Sequence, residues 1–381
     1  MFDDILGIIQ SKFSNKSFIP LHEPVFIGNE KKYLLDCIDS TFVSSVGMYV
    51  DKFESMVCSL TGSKYAIAVV NGTNALQISL LLAGVKKEDE VITQSFSFVA
   101  TANAISYCNA TPIFIDIDKN TMGMSARSLE EFLEKNARMS ENGECINVNT
   151  ERRIAACVPM HTFGHACELD KIVQICEHWN ITLVEDAAES IGSYYKNIHT
   201  GRFGKYGVFS LNGNKTITSG GGGVIVTDDE QMAKKAKHLT TQAKAPHKWE
   251  FNHDLIGYNF RMPNLNAAVA CAQLEKLDDF LKNKRELASY YKESYKTLNI
   301  QFFEEPVNSR SNYWLNTLVF SDKKERDEFL AYSNSKGIMT RPAWNLLSTL
   351  PMYKNCETDG LIQSKWLIER LVNIPSSVRI D

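Results

Sequence analysis

Ile181-Thr182-Leu183-Val184-Glu185-Asp186-Ala187-Ala188-Glu189-Ser190 is an apolar run that ends in acids and passes into a turn of small residues. Such a run, bounded by polar residues, reads as a buried strand over 181–184 with Asp186 at its carboxyl end. Working outward, a helix is expected near 169–179 and a strand at 154–158. Further back lie strands at 65–70, 90–93 and 111–116, with helices at 73–82 and 98–107 between them. Downstream, strands are expected at 208–211 and 223–227, the second entered through the four-glycine turn Gly220 to Gly223. This alternation of strand and helix predicts an α/β fold with a mixed, mostly parallel sheet flanked by helices.

After Pro263 the pattern changes. One long helix is expected over 265–298, then strands at 300–303 and 313–320 and a helix at 323–335. These make a smaller α+β C-terminal domain. The expected division is an extension at 1–19 with a short amphipathic helix, a large domain at 20–260 and the small domain at 261–381. The polar stretch 136–153 lacks periodicity and reads as a surface insertion.

Composition narrows the function classes. A chain of 381 residues with 44% hydrophobic and 23% charged residues is ordinary for a globular protein. A net charge of −4 gives no footprint for nucleic acid. No apolar stretch reaches the length of a membrane span. Nine scattered cysteines, with no CxxC pair, suit reduced thiols in a cytoplasm. His161 and His165 have helical spacing, but Gly164 interrupts it, so no metal is expected.

Ligands in such sheets sit beyond the carboxyl ends of the strands. Three expected strand ends carry polar residues: Asp186, Ser210, and the turn Asn71-Gly72-Thr73-Asn74. A helix that begins at this turn offers free N–H groups and a dipole to a phosphate. Lys215 follows Asp186 by 29 positions, in Ser210-Leu211-Asn212-Gly213-Asn214-Lys215. A lysine for a Schiff base, an acid for a pyridine nitrogen and donors for a phosphate are the needs of pyridoxal 5'-phosphate. On that reading Lys215 and Asp186 are catalytic. Gly72, Thr73, Asn74 and Ser210 serve the phosphate, and Ala188 and Phe98 lie against the two faces of the ring. Competing motifs are absent: there is no G-x-x-x-x-G-K-[ST], and Gly201, Gly204 and Gly207 do not have dinucleotide spacing.

These residues resemble the DegT/DnrJ/StrS family of sugar aminotransferases. The resemblance runs from about Pro20 to Pro375, through residues 72–76, 97–101, 185–189, 210–215 and 257–262. It implies fold type I of the pyridoxal phosphate enzymes and a homodimer with shared sites. It further implies that Asn259 reaches the phosphate of the neighbouring cofactor. Glu189 stands where many members carry Gln near the ring hydroxyl. Some members replace the lysine with histidine and act as dehydratases, and Lys215 argues against that branch. Residues 42–47, 341–344 and 351–354 look like the subgroup making 4-amino-4,6-dideoxy sugars for bacillosamine or legionaminic acid. The implied reaction moves the amine of L-glutamate to C4 of UDP-2-acetamido-2,6-dideoxy-4-hexulose in surface-glycan synthesis, with Ser44, Ser45, Gly47 and His165 near the substrate. A GDP-perosamine-type enzyme and a non-catalytic regulator are the alternatives.

Overall fold

The computed structural model describes residues 1–13 and 16–380. Its central sheet has seven strands: β1 (Tyr65–Val69), β2 (Glu90–Gln94), β3 (Thr111–Ile115), β4 (Ile154–Val158), β5 (Thr182–Asp186), β6 (Tyr206–Ser210) and β7 (Gly223–Thr227). Across the sheet they run β1-β7-β6-β5-β4-β2-β3. All neighbours are parallel except β7, which is antiparallel to both β1 and β6. Two antiparallel steps restore the original direction. The carboxyl ends of β1, β5 and β6 therefore open on one edge, and that edge holds the site.

Helices cover both faces, which is why the strands are buried along nearly their whole length rather than on alternate residues. The first helices are α1 (Phe2–Gln10), α2 (Glu30–Asp39), α3 (Met48–Thr61), α4 (Gly72–Leu82) and α5 (Val99–Tyr107). They are followed by α6 (Ala126–Asn136), α7 (Leu169–His178), α8 (Glu230–Thr240), α9 (Asn264–Leu274) and α10 (Leu277–Lys296). In β1, Ile67 and Val69 join Leu76 and Ile78 of α4 and Ala236 of α8. Ala66 and Ala68, pointing the other way, join Phe53 and Val57 of α3 and the alanines of α9.

A second sheet is antiparallel. Its strands β8 (Gln301–Phe302), β9 (Asn316–Val319), β10 (Arg341–Pro342) and β11 (Leu371–Ile374) lie in the order β8-β9-β11-β10. Against it pack α10 and α11 (Lys323–Ser335). Ile5, Leu6 and Ile9 of α1 enter the same core, beside Leu287, Tyr291 and Phe329. The N-terminal segment thus packs on the C-terminal part of its own chain.

Two expectations are corrected. The helix expected over 265–298 is two helices, separated at Lys276, whose φ of −109° and ψ of 1° lie outside the helical range. Small residues let α9 lie close on α2 and α3, while the aromatic face of α10 belongs to the second sheet. The stretch at 136–153 is not a plain insertion. Ala137–Met139 and Cys145–Asn147 pair as a hairpin, and the buried Asn147 amide donates to Glu90 and Glu357. A polar residue satisfied from outside its own segment leaves no apolar period to read.

Gly223, at the start of β7, abuts the backbone that leads into α4. A Cβ there would meet the Asn71 carbonyl at 2.5 Å and the Gly72 nitrogen at 2.7 Å. Gly223→Ala is expected to cost about 1–3 kcal/mol, the scale of overpacking a close contact. Urea denaturation measures it; an unchanged midpoint would contradict this packing.

Candidate active site

The shared strand edge encloses a cavity of about 290 Å³. Gly72, Thr73, Phe98, Asp186, Ala188, Glu189, Ser210 and Lys215 all line it.

Asp186 ends β5 at 3% exposure. Its Oδ2 accepts from Thr101 Oγ1 at 2.7 Å and its Oδ1 from the Ala188 N–H at 3.2 Å. Thr101 is itself held by Ser97, with 3.0 Å between the hydroxyls. Burial pushes the Asp186 carboxyl up, against the bonds from Thr101 and Ala188 and the charges of Lys215 and His161. Two neutral donors do not offset the cost of a buried anion, so a cation placed against this carboxylate would be strongly favoured. The preceding residue locks the strand end. Glu185 is fully buried, accepts from the Gly201, Phe203 and Gly204 N–H groups, and meets His161 Nε2 at 3.1 Å.

At the other end, Asn71 caps α4 by accepting from the Asn74 N–H at 2.8 Å. The N–H groups of Gly72 and Thr73 stay free of that cap and lie at the cavity. A Cβ on Gly72 would sit 3.0 Å from the Ser210 side chain, so glycine makes the space between these two elements. A helix N-terminus, a hydroxyl and a close backbone form an anion cradle.

Between the two ends stands Lys215. Its Nζ donates to Glu189 Oε1 at 3.0 Å and lies 4.1 Å above the Trp314 ring centroid. The second carboxylate oxygen of Glu189 accepts from the Phe163 N–H at 2.9 Å. Burial pushes the Glu189 carboxyl up to about 7, against Lys215 and the Phe163 N–H.

The remaining expected residues lie outside this cavity. Asn74 serves the cap. Asn259 is exposed on the surface. The Ser44 and Ser45 carbonyls accept from the Asn264 N–H and Arg261, and Gly47 abuts the Asn264 side chain. His165 is fully buried between Phe303 and Tyr313. Burial lowers it to about 3, which leaves a neutral ring in an aromatic core. Thr101, Trp314 and Trp344 line the cavity without having been singled out as cofactor residues. Thr101 was legible one helical turn from Ser97; Trp314 arrives from a distant segment and carried no local signal. Among the described residues no cluster of metal ligands occurs.

These residues fit pyridoxal phosphate. The buried carboxylate takes its hydrogen bonds from neutral donors, the glycine-lined cradle suits a phosphate, and one amine stands between them. In the cofactor-free chain, folding raises the Glu189 carboxyl from its ordinary value of 4.5 to about 7. The folded form then binds the proton more tightly, so this group favours folding most below about pH 4.5, and the contribution falls as pH rises toward about 7. Glu189→Gln removes that dependence. Its stability relative to wild type should rise between about pH 5 and about pH 8 in urea titrations, and an equal difference at both would contradict it.

The chain matches the DegT/DnrJ/EryC1/StrS aminotransferase family over residues 26–381. It is 38% identical over 336 residues to a GDP-perosamine synthase of Escherichia coli O157:H7, covering 88% of this chain and 87% of that one. EpsN of Bacillus subtilis strain 168, whose assigned name is that of a pyridoxal phosphate-dependent aminotransferase, is 37% identical over 88% of this chain and 84% of its own. The crystal structure of a DegT DnrJ EryC1 StrS aminotransferase from Brucella abortus superposes with a TM-score of 0.84 at 25% identity, covering 99% of this chain and 94% of that one. The chain belongs to the DegT/DnrJ/EryC1/StrS aminotransferase family and is a pyridoxal phosphate-dependent aminotransferase of fold type I.

Proposed function

We propose that this enzyme transfers the amine of L-glutamate to C4 of a nucleotide-linked 4-keto-6-deoxy sugar. The observation that carries the proposal is that the Lys215 amine and the buried Asp186 carboxyl, whose own hydrogen bonds come from neutral donors, line one cavity. The cofactor, when bound, supplies the electron sink for a broken C–H bond. Asp186 pairs with a ring nitrogen that must stay protonated. Lys215, once neutral, removes the proton from the carbon bearing the amine and delivers a proton to its acceptor. Gly72, Thr73 and Ser210 hold the phosphate. Trp314 and Trp344 wall the cavity and limit the entry of water. Overall, glutamate leaves as 2-oxoglutarate, taking its keto oxygen from one water, and the keto oxygen of the sugar is returned as another, so no water is gained or lost.

Two nucleotide forms have separate support. The Escherichia coli relative, named a GDP-perosamine synthase, favours a GDP-linked sugar. The segments at 42–47, 341–344 and 351–354 favour UDP-2-acetamido-2,6-dideoxy-4-hexulose. We take the GDP-linked sugar as the first reading, because that relative aligns with 88% of the chain. Supplying each sugar with glutamate and following 2-oxoglutarate release separates them.

The assembly we propose is two copies with shared sites. Phe98 is 49% exposed although it lines the cavity, and Phe42, Val43, Val46 and Met48 form an apolar exposed run. On this reading Asn259 and residues 44–47 act on the site of a second copy.

Lys215→Ala is expected to lose at least about a hundredfold in turnover while keeping the wild-type circular dichroism. Turnover near the wild-type rate would contradict the proposed role. Asn259→Ala should release the cofactor faster on dialysis without changing the oligomeric state. A wild-type chain that light scattering finds to be a monomer at micromolar concentration would contradict the shared site.

A further inference from the structure

The Lys215 amine lies between two walls drawn from separate parts of the chain. Glu189 Oε1 accepts from Nζ at 3.0 Å on one side. On the other, the buried Trp314 indole presents its face, with the ring centroid 4.1 Å from Nζ. A cation over a desolvated indole is held by the negative face of the ring. We infer that Trp314 is a positioning residue: its ring and Glu189 seat the free Lys215 ammonium, and Asn312 fixes the spacing of the seat. The inference rests on the reading of Lys215 as the residue that holds the cofactor.

Asn312 is fully buried and its amide bridges both walls. Its Nδ2 donates to the carbonyl oxygens of Glu189 and Ile191, each at 2.9 Å. Its Oδ1 accepts from the Trp314 N–H at 2.8 Å. The indole Nε1–H donates to the Asn214 carbonyl at 2.7 Å, next to Lys215 in sequence, so the ring cannot turn without losing that bond. Lys284, fully buried, donates from Nζ to the Trp314 carbonyl at 3.2 Å and to the Ser376 carbonyl at 2.5 Å. The ring is therefore anchored through its backbone N–H, its carbonyl and its indole N–H.

A seated ammonium is neither a nucleophile nor a base. The seat thus holds the charged form of the amine in one place, between Glu189 and Trp314. The other ionisable groups facing this region are Asp186, which favours the cation, His22, which would oppose it if charged, and Lys284 on the Trp314 carbonyl, which burial lowers to about 7. Burial, then Lys284 and Lys215, holds His22 well below its usual range, so its ring is neutral near pH 7. Glu189 and Trp314 are left as the direct contacts of the amine.

The test is trace labelling of the cofactor-free protein with acetic anhydride across a pH series. Mass spectrometry of the Lys215 peptide gives the pH profile for wild type, Trp314→Leu and Trp314→Phe. Loss of the aromatic face should move the Leu profile to lower pH by about half a unit to one unit, the equivalent of a cation–π contact. Phe keeps a face and should move it less. A merely steric role would raise labelling at every pH and leave the midpoint in place, and that result overturns the inference. If the Leu chain does not fold, the Phe chain decides: a smaller shift in the same direction is expected, and an unmoved midpoint overturns the seat. Failure of the underlying reading shows separately. Borohydride reduction that traps cofactor on a residue other than Lys215 in the wild type would overturn the assignment of Lys215 without touching the labelling result.

Discussion

The Asp186 carboxylate sits at the end of a buried strand, and among the described residues a hydroxyl and one backbone N–H are its hydrogen-bond donors. Low dielectric makes such an anion costly alone and makes its attraction for a cation strong. Much of the surrounding structure keeps that imbalance in place. Glu185 spends its own charge on three backbone N–H groups and His161, which fixes the strand end without neutralising its neighbour. Thr101 and Ser97 aim a neutral donor rather than a positive one. On the proposed reading, a protonated cofactor nitrogen would complete the set.

Sheet topology delivers the other components to the same place. Because the single antiparallel strand β7 lies between β1 and β6, the turn after β1 and the end of β6 meet across Gly72, Ser210 and Gly223. A side-chain carbon would collide with backbone at Gly223 and crowd the Ser210 side chain at Gly72. On the proposed reading, close backbone approach would set the phosphate end and a buried charge the ring end. Lys215 spans the gap, held by groups from both the first sheet and the segment leading into the second.

The elements that repeat a simple period were legible in the sequence. The central strands and α4 and α5 were placed within a few residues, because a buried parallel strand is a short apolar run whatever surrounds it. Strand β5 was expected to stop at residue 184 and continues to Asp186. Two charged residues at its end read as a loop until their tertiary partners are known. The same limit hid the break between α9 and α10 and the hairpin around Asn147. Within the site, Asp186, Lys215, Ser210 and the glycine turn were legible because strand ends converge by topology. Trp314 was not, since only folding carries it 99 positions back to Lys215. His165, expected near the substrate from the resemblance, packs in this fold as a neutral ring between Phe303 and Tyr313.

The central claim is that Asp186 and Lys215 together run amine transfer through pyridoxal phosphate. The most direct measurement is the absorption spectrum of the cofactor-loaded enzyme before and after adding L-glutamate, with no sugar present. The account predicts that the long-wavelength band of lysine-linked cofactor disappears and that the shorter-wavelength band of the amine form replaces it. A lysine-linked band that glutamate leaves unchanged would contradict the claim.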